Sequence, residues 1–95
     1  MELKRNVDEN LCEVITDKNM GIHNAEEFKK LLDDAFQNST KIELDLNSLE
    51  DADIAFLQIV YSARKSSKRM NKVFEVRGDY PAFLMKLCET IGFPM

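Results

Sequence analysis

Tryptophan is absent, histidine occurs once, and cysteine and proline occur twice each in a chain of 95 residues. Each shortage closes a class of function. Cys12 and Cys88 are too few and too far apart for a disulfide framework, and both read as small buried hydrophobes. His23 has no companion, so neither a metal site with paired ligands nor a Ser/His/Asp or Cys/His nucleophile set can be assembled around it. Gly21, Gly78 and Gly92 stand alone, which excludes a glycine-rich phosphate loop. No apolar run approaches the roughly 18 residues of a membrane span. The opening Met1-Glu2-Leu3-Lys4-Arg5-Asn6 lacks the apolar stretch of a signal peptide, so the expected location is cytoplasmic, without membrane insertion. A basic surplus is missing too. Lys and Arg number 13 against 17 Asp and Glu, a net charge of −4, which argues against a nucleic-acid partner.

What remains is the balance of one globular domain spanning residues 1–95, with 44% hydrophobic and 32% charged residues. A domain of this size buries roughly 60–65% of its unfolded surface, so it folds alone with little stability to spare.

The hydrophobic pattern sets out the elements. Residues 3–7 form a weak first strand, and Asp8-Glu9-Asn10 turns the chain into a second strand at 11–16. Helix is clearest over 24–38. There Phe28, Leu31, Leu32, Ala35 and Phe36 follow the i, i+3, i+4, i+7, i+8 spacing, Asn24 suits the N-cap, and Glu27 is placed for a capping box. Residues 41–46 alternate strictly. Ile42, Leu44 and Leu46 point one way, and Lys41, Glu43 and Asp45 point the other, so this strand is covered mainly on one side. A polar loop anchored by Leu49 leads to a helix over 54–67. Its apolar arc is wide: Leu57, Val60, Tyr61 and Arg64 form one stripe, and Phe56, Ile59 and Ala63 the next. Residues 72–77 form a further strand. Pro81 stands at a first helical position, Leu84, Leu87, Cys88 and Ile91 line the last helix, and Gly92 stops it. The order β-β-α-β-α-β-α predicts an α/β domain with a mixed sheet of four or five strands, flanked by three or more helices mostly on one face.

Two charge groups remain. Glu43, Asp45, Glu50, Asp51 and Asp53 are spread over a strand and a loop without metal-ligand spacing, and read as a solvated acidic edge. Arg64, Lys65, Lys68, Arg69 and Lys72 load a helix end in the sense the helix dipole favours, with no interleaved aromatics to stack bases. A response-regulator receiver would need paired acids after its first strand and a longer five-unit chain, and both are missing. The expectation is a non-enzyme with no catalytic residues, no metal and no cofactor.

The segment from Leu44-Asp45-Leu46 through Asp53-Ile54-Ala55-Phe56-Leu57 resembles the core of a STAS domain, the domain of anti-sigma factor antagonists and of sulfate-transporter tails. The family shows an "LDL" strand, a short loop, and "D-S/T-S/A-G-L" opening a helix. Ile22-His23-Asn24-Ala25-Glu26-Glu27-Phe28 resembles the family's passage from strand to helix, and Ile91-Gly92-Phe93 its close. The resemblance covers about residues 10–93. It implies function through a partner. In anti-sigma antagonists a serine of the Asp-Ser-Ser-Gly turn is phosphorylated by a kinase that also binds the sigma factor, and the unmodified form captures that kinase. A phosphoserine sets about −1.5 to −2 charges inside a fitted interface.

This chain departs from the family at that turn. Asp53 matches the family's aspartate, but Ile54 and Ala55 stand where hydroxyl residues belong, and Phe56 replaces the glycine. The phosphoacceptor position falls on Ala55, which has no hydroxyl. Either the domain binds constitutively or its switch lies elsewhere; Ser48, Ser62, Ser66 and Ser67 carry hydroxyls that nothing in the sequence marks. The resemblance implies a regulatory partner, an anti-sigma or histidine-kinase-like protein, bound at Asp53, Ile54, Ala55 and Phe56. The alternative is an accessory subunit docked on the ATPase of an ABC lipid-type transporter. A homodimer is compatible with both. Phe56 has two placements open to it, packed between helices beside Ile59 and Ala63, or at the rim as an apolar anchor.

Overall fold

The computed structural model of the chain describes residues 1–92, without the Ile91 side chain. The expectations for that side chain and for Phe93 lie outside the described residues. Strand β1 (Glu2–Asn6) turns through Asn10, whose φ of 54° is one that Asn tolerates, into β2 (Leu11–Ile15). The short β3 (Asn19–Met20) and a 3-10 turn (Ile22–Asn24) precede α1 (Ala25–Asn38). Then come β4 (Lys41–Asp45), the short β5 (Asp51–Ala52), α2 (Ile54–Arg69), β6 (Val73–Arg77) and α3 (Ala82–Ile91). The main sheet has the order β1-β2-β4-β6, with β1 antiparallel to β2 and the remaining pairs parallel. The mixed α/β architecture is the one expected from the pattern. The two-residue strands β3 and β5 are additions, pairing parallel with each other in a small second sheet.

The core explains why the helices lie on one face. Cys12 and Val14 of β2 and Ile42 and Leu44 of β4 are fully buried. They cluster with Phe28, Leu32, Ala35 and Phe36 of α1, with Phe56, Leu57, Val60 and Ala63 of α2, and with Leu84 and Cys88 of α3. Both apolar stripes of α2 are thereby used. The alternate residues face away from the helices. There Glu13, Glu43 and Glu75 stand in register across three strands. Like charges side by side repel, and cations from the neighbouring rows answer them. Arg77 reaches Glu43 at 3.2 Å and Glu13 at 3.9 Å, and Lys41 lies 3.8 Å from both Glu43 and Glu75. This is the physical content of the alternation in β4.

Both cysteines are free and buried, as read from the sequence; Cys12 Sγ lies 2.7 Å from Ser39 Oγ. Two local expectations are corrected. Asn24 does occupy the N-cap of α1, but its side chain bonds backwards and forms no capping box with Glu27: Oδ1 accepts from Gly21 N–H at 3.0 Å, and Nδ2 donates to the Asn19 carbonyl at 3.0 Å. Pro81 stands at the N-cap of α3, one residue ahead of the first helical position.

Candidate functional site

The carboxyl ends of the parallel strands β2, β4 and β6 feed three loops that meet at one end of the sheet, where open α/β sheets place their ligands. Two of these loops are knitted together. Asn19 pairs with Asp51 and Met20 with Ala52. The Lys18 carbonyl accepts from Glu50 N–H at 2.7 Å and from Asp51 N–H at 2.9 Å, and the Met20 carbonyl accepts from Asp53 N–H at 3.1 Å.

Asp53 is the centre of this junction. Its Oδ1 accepts from Ala55 N–H at 2.9 Å, which caps α2. Its Oδ2 accepts from Ile22 N–H at 3.1 Å, across 31 positions of chain. One carboxylate therefore ties the entrance of α2 to the 3-10 turn before α1. Gly21 makes that approach feasible: a Cβ there would lie 2.4 Å from Asp53 Oδ2 and 2.7 Å from its Cγ. Sequence reasoning missed Gly21, Ile22 and the role of Asn24. The available signal was a lone glycine among polar residues ahead of a helix, a common mark of close backbone approach.

The four residues expected at the partner surface separate by depth. Asp53 is exposed, Ile54 is 42% exposed, and Ala55 is partly covered. Phe56 is 1% exposed and stacks on Phe28 of α1, with ring centroids 5.3 Å apart. Of its two placements the structure shows the packed one. Phe56 supports the turn from beneath and offers no ring to a partner. The exposed apolar groups beside Asp53 are Ile54 and Ile22, the latter 80% exposed.

The acidic group does not converge. Glu43, on the sheet face away from the helices, is not solvated as expected but only 9% exposed between Lys41 and Arg77. Asp45 accepts from Asn47 N–H at 2.8 Å, Asp53 caps a helix, and Glu50 and Asp51 face solvent. Among the described residues no three His, Cys, Asp or Glu side chains come together as a metal's ligands would. The basic group is also divided. Lys65 sits over the Tyr61 ring at 4.6 Å, Arg69 donates to Ser66 Oγ at 3.2 Å, and Lys72 Nζ donates to the Phe36 carbonyl. His23 is exposed within the 3-10 turn. Among the described residues no helix is long and apolar enough to cross a membrane.

No family model matches this sequence, and no curated protein matches it. Solved structures do resemble it, among them two forms of one protein. The phosphorylated form of SpoIIAA, a cell fate determinant of Bacillus, superimposes with a TM-score of 0.73 at 15% identity, over 97% of this chain and 83% of the other. The unphosphorylated form of the anti-sigma factor antagonist SpoIIAA gives a TM-score of 0.75 at 14% identity, over 93% and 80%. At such identities the likeness is one of fold, and this chain has the STAS fold of the anti-sigma factor antagonist SpoIIAA.

Proposed function

We propose that the chain is a non-enzymatic binding module of bacterial signalling, like an anti-sigma factor antagonist but without the phosphorylatable serine of that turn. The observation that carries this reading is the turn itself. Its shape is held by Asp53 and Gly21, its exposed surface is the Asp53 carboxylate beside Ile54, and Asp53, Ile54, Ala55 and Phe56 include no hydroxyl. SpoIIAA exists in phosphorylated and unphosphorylated forms. A chain with alanine at the acceptor position has one form there, so its partner binding is constitutive. The partner is an anti-sigma or histidine-kinase-like protein, met by Ile54 and Asp53, with Phe56 as the rigid support below.

The test is a titration calorimetry measurement of the chain against the anti-sigma-type kinase of its source organism. Ile54→Asp is expected to weaken binding at least tenfold, about 1.4 kcal/mol. Incubation with kinase and ATP should leave residues 53–56 unmodified by mass spectrometry. Unchanged affinity of Ile54→Asp would move the interface away from the turn. A partner that proves to be a transporter ATPase would replace the signalling assignment.

A further inference from the structure

A groove of about 810 Å³ runs between α1 and α2. Leu32 and Phe36 of α1 and Ile59 and Ala63 of α2 contribute its apolar lining. The two walls differ. The α2 wall carries no charge and is built largely of small side chains, Ala55, Ser62, Ala63 and Ser66, which let another backbone come close. The α1 wall carries Glu26, Lys29 and Asp33, exposed at successive turns of the helix. Among the described residues none of these three is in an ion pair or a side-chain hydrogen bond, although Lys29 has acids three and four positions away. Each end of the groove has an exposed apolar residue, Ile22 at 80% and Met70 at 47%.

We propose that this groove receives an amphipathic helix of a partner protein. The occupant has an apolar stripe for the floor and a basic–acidic–basic series along the flank that meets Glu26, Lys29 and Asp33. Roughly four turns, about 22 Å, separate Ala55 from Met70, which sets its length near 15 residues. Helix-in-groove recognition reads such anchors at i, i+3, i+4 and i+7. A second copy of this chain fits less well, because α3, which exposes Phe83 and Met85, has only 10 residues. The inference rests on the reading of the chain as a binding module, and extends it: Ile22 and Ala55 border both the groove and the turn.

The probe is a synthetic peptide of about 16 residues with a leucine stripe and a Lys–Glu–Lys flank at helical spacing. Its control has the same stripe with a Glu–Lys–Glu flank. Fluorescence anisotropy should show the matched peptide binding at least tenfold tighter than the control. Ser62→Arg, which fills the groove from an exposed helix position, should abolish binding, and Ser62→Ala should retain it, with urea midpoints showing both variants folded. Equal binding of the two peptides, no binding of either, or binding indifferent to Ser62→Arg overturns the proposal. The underlying functional reading fails separately, through lack of any kinase binding by the wild-type chain in calorimetry, a measurement in which the peptide takes no part.

Discussion

Phe56 and Tyr80 show how single buried side chains bear on stability. Phe56 is stacked on Phe28 in a closed core, so Phe56→Ala should cost about 3–5 kcal/mol in urea denaturation through the cavity it leaves. A loss under about 1 kcal/mol would show that the surrounding helices collapse onto the site. Among the described residues the buried Tyr80 hydroxyl makes no hydrogen bond, although the Arg64 guanidinium lies near enough to act on its titration. Burial raises its pKa above the ordinary 10.0, opposed by the nearby Arg64 guanidinium, so the folded state favours the neutral phenol. That contribution is fully present below pH 10.0 and is lost as pH rises through the raised value. Tyr80→Phe should therefore be neutral or stabilising by up to about 1 kcal/mol at neutral pH. It should also lessen the fall in stability under alkaline conditions. Cys88, its thiol likewise pushed up by burial, leaves a residual slope. An unchanged alkaline profile in the variant would dissociate Tyr80 from the effect. At this scale the sequence was half legible. Asp53 was visible through the family-like segment, whereas Gly21 acts on a carboxylate 32 positions away, and local pattern carries no trace of such a contact.

Elements were legible in proportion to their periodicity. Helix α1 announced itself by Phe28, Leu31, Leu32, Ala35 and Phe36, and β4 by strict alternation, because both repeat often enough to display a period. Strands β3 and β5 have two residues each and display none; only their pairing across the loops defines them. The capping of α1 was misjudged for a related reason. Asn24 had a choice between α1 and the loop behind it, and tertiary placement of Gly21 and Asn19 decided for the loop. The junction of these short elements gives a prediction of its own. Gly21→Ala drives a methyl group into the Asp53 carboxylate, so the bond to Ile22 must open. The expected loss is about 1–2 kcal/mol, comparable to losing a helix cap, with hydrogen exchange rising first at the Ile22 and Ala55 amides. Full protection at both amides in the variant would contradict the clamp.

The whole molecule has a dry side and a wet side. Three helices close one face of the sheet, and the other carries the glutamate row with its cations. Arg77 is the cation that spans Glu13 and Glu43. Because its side chain is more than half exposed, solvent screens it, and Arg77→Met should cost only about 1 kcal/mol at low salt. That difference should shrink as added salt screens the bare carboxylates. A cost independent of salt would assign the role of Arg77 to packing of its alkyl chain. One-sided coverage was already present in the six residues from Lys41 to Leu46. The convergence of three loops at one end was not, because it depends on the crossovers between parallel strands.

The clamp between Gly21 and Asp53 also bears on how such a turn changes over time. Because its conformation is written in those two residues and in main-chain bonds, positions 54 and 55 contribute surface without determining geometry. They are interchangeable cargo on a fixed mount. A hydroxyl can be lost or regained at position 55 while the scaffold stays intact. On the proposed reading of position 55 as the acceptor position, constitutive and switchable modules differ there by one substitution, which the fixed mount tolerates without unfolding.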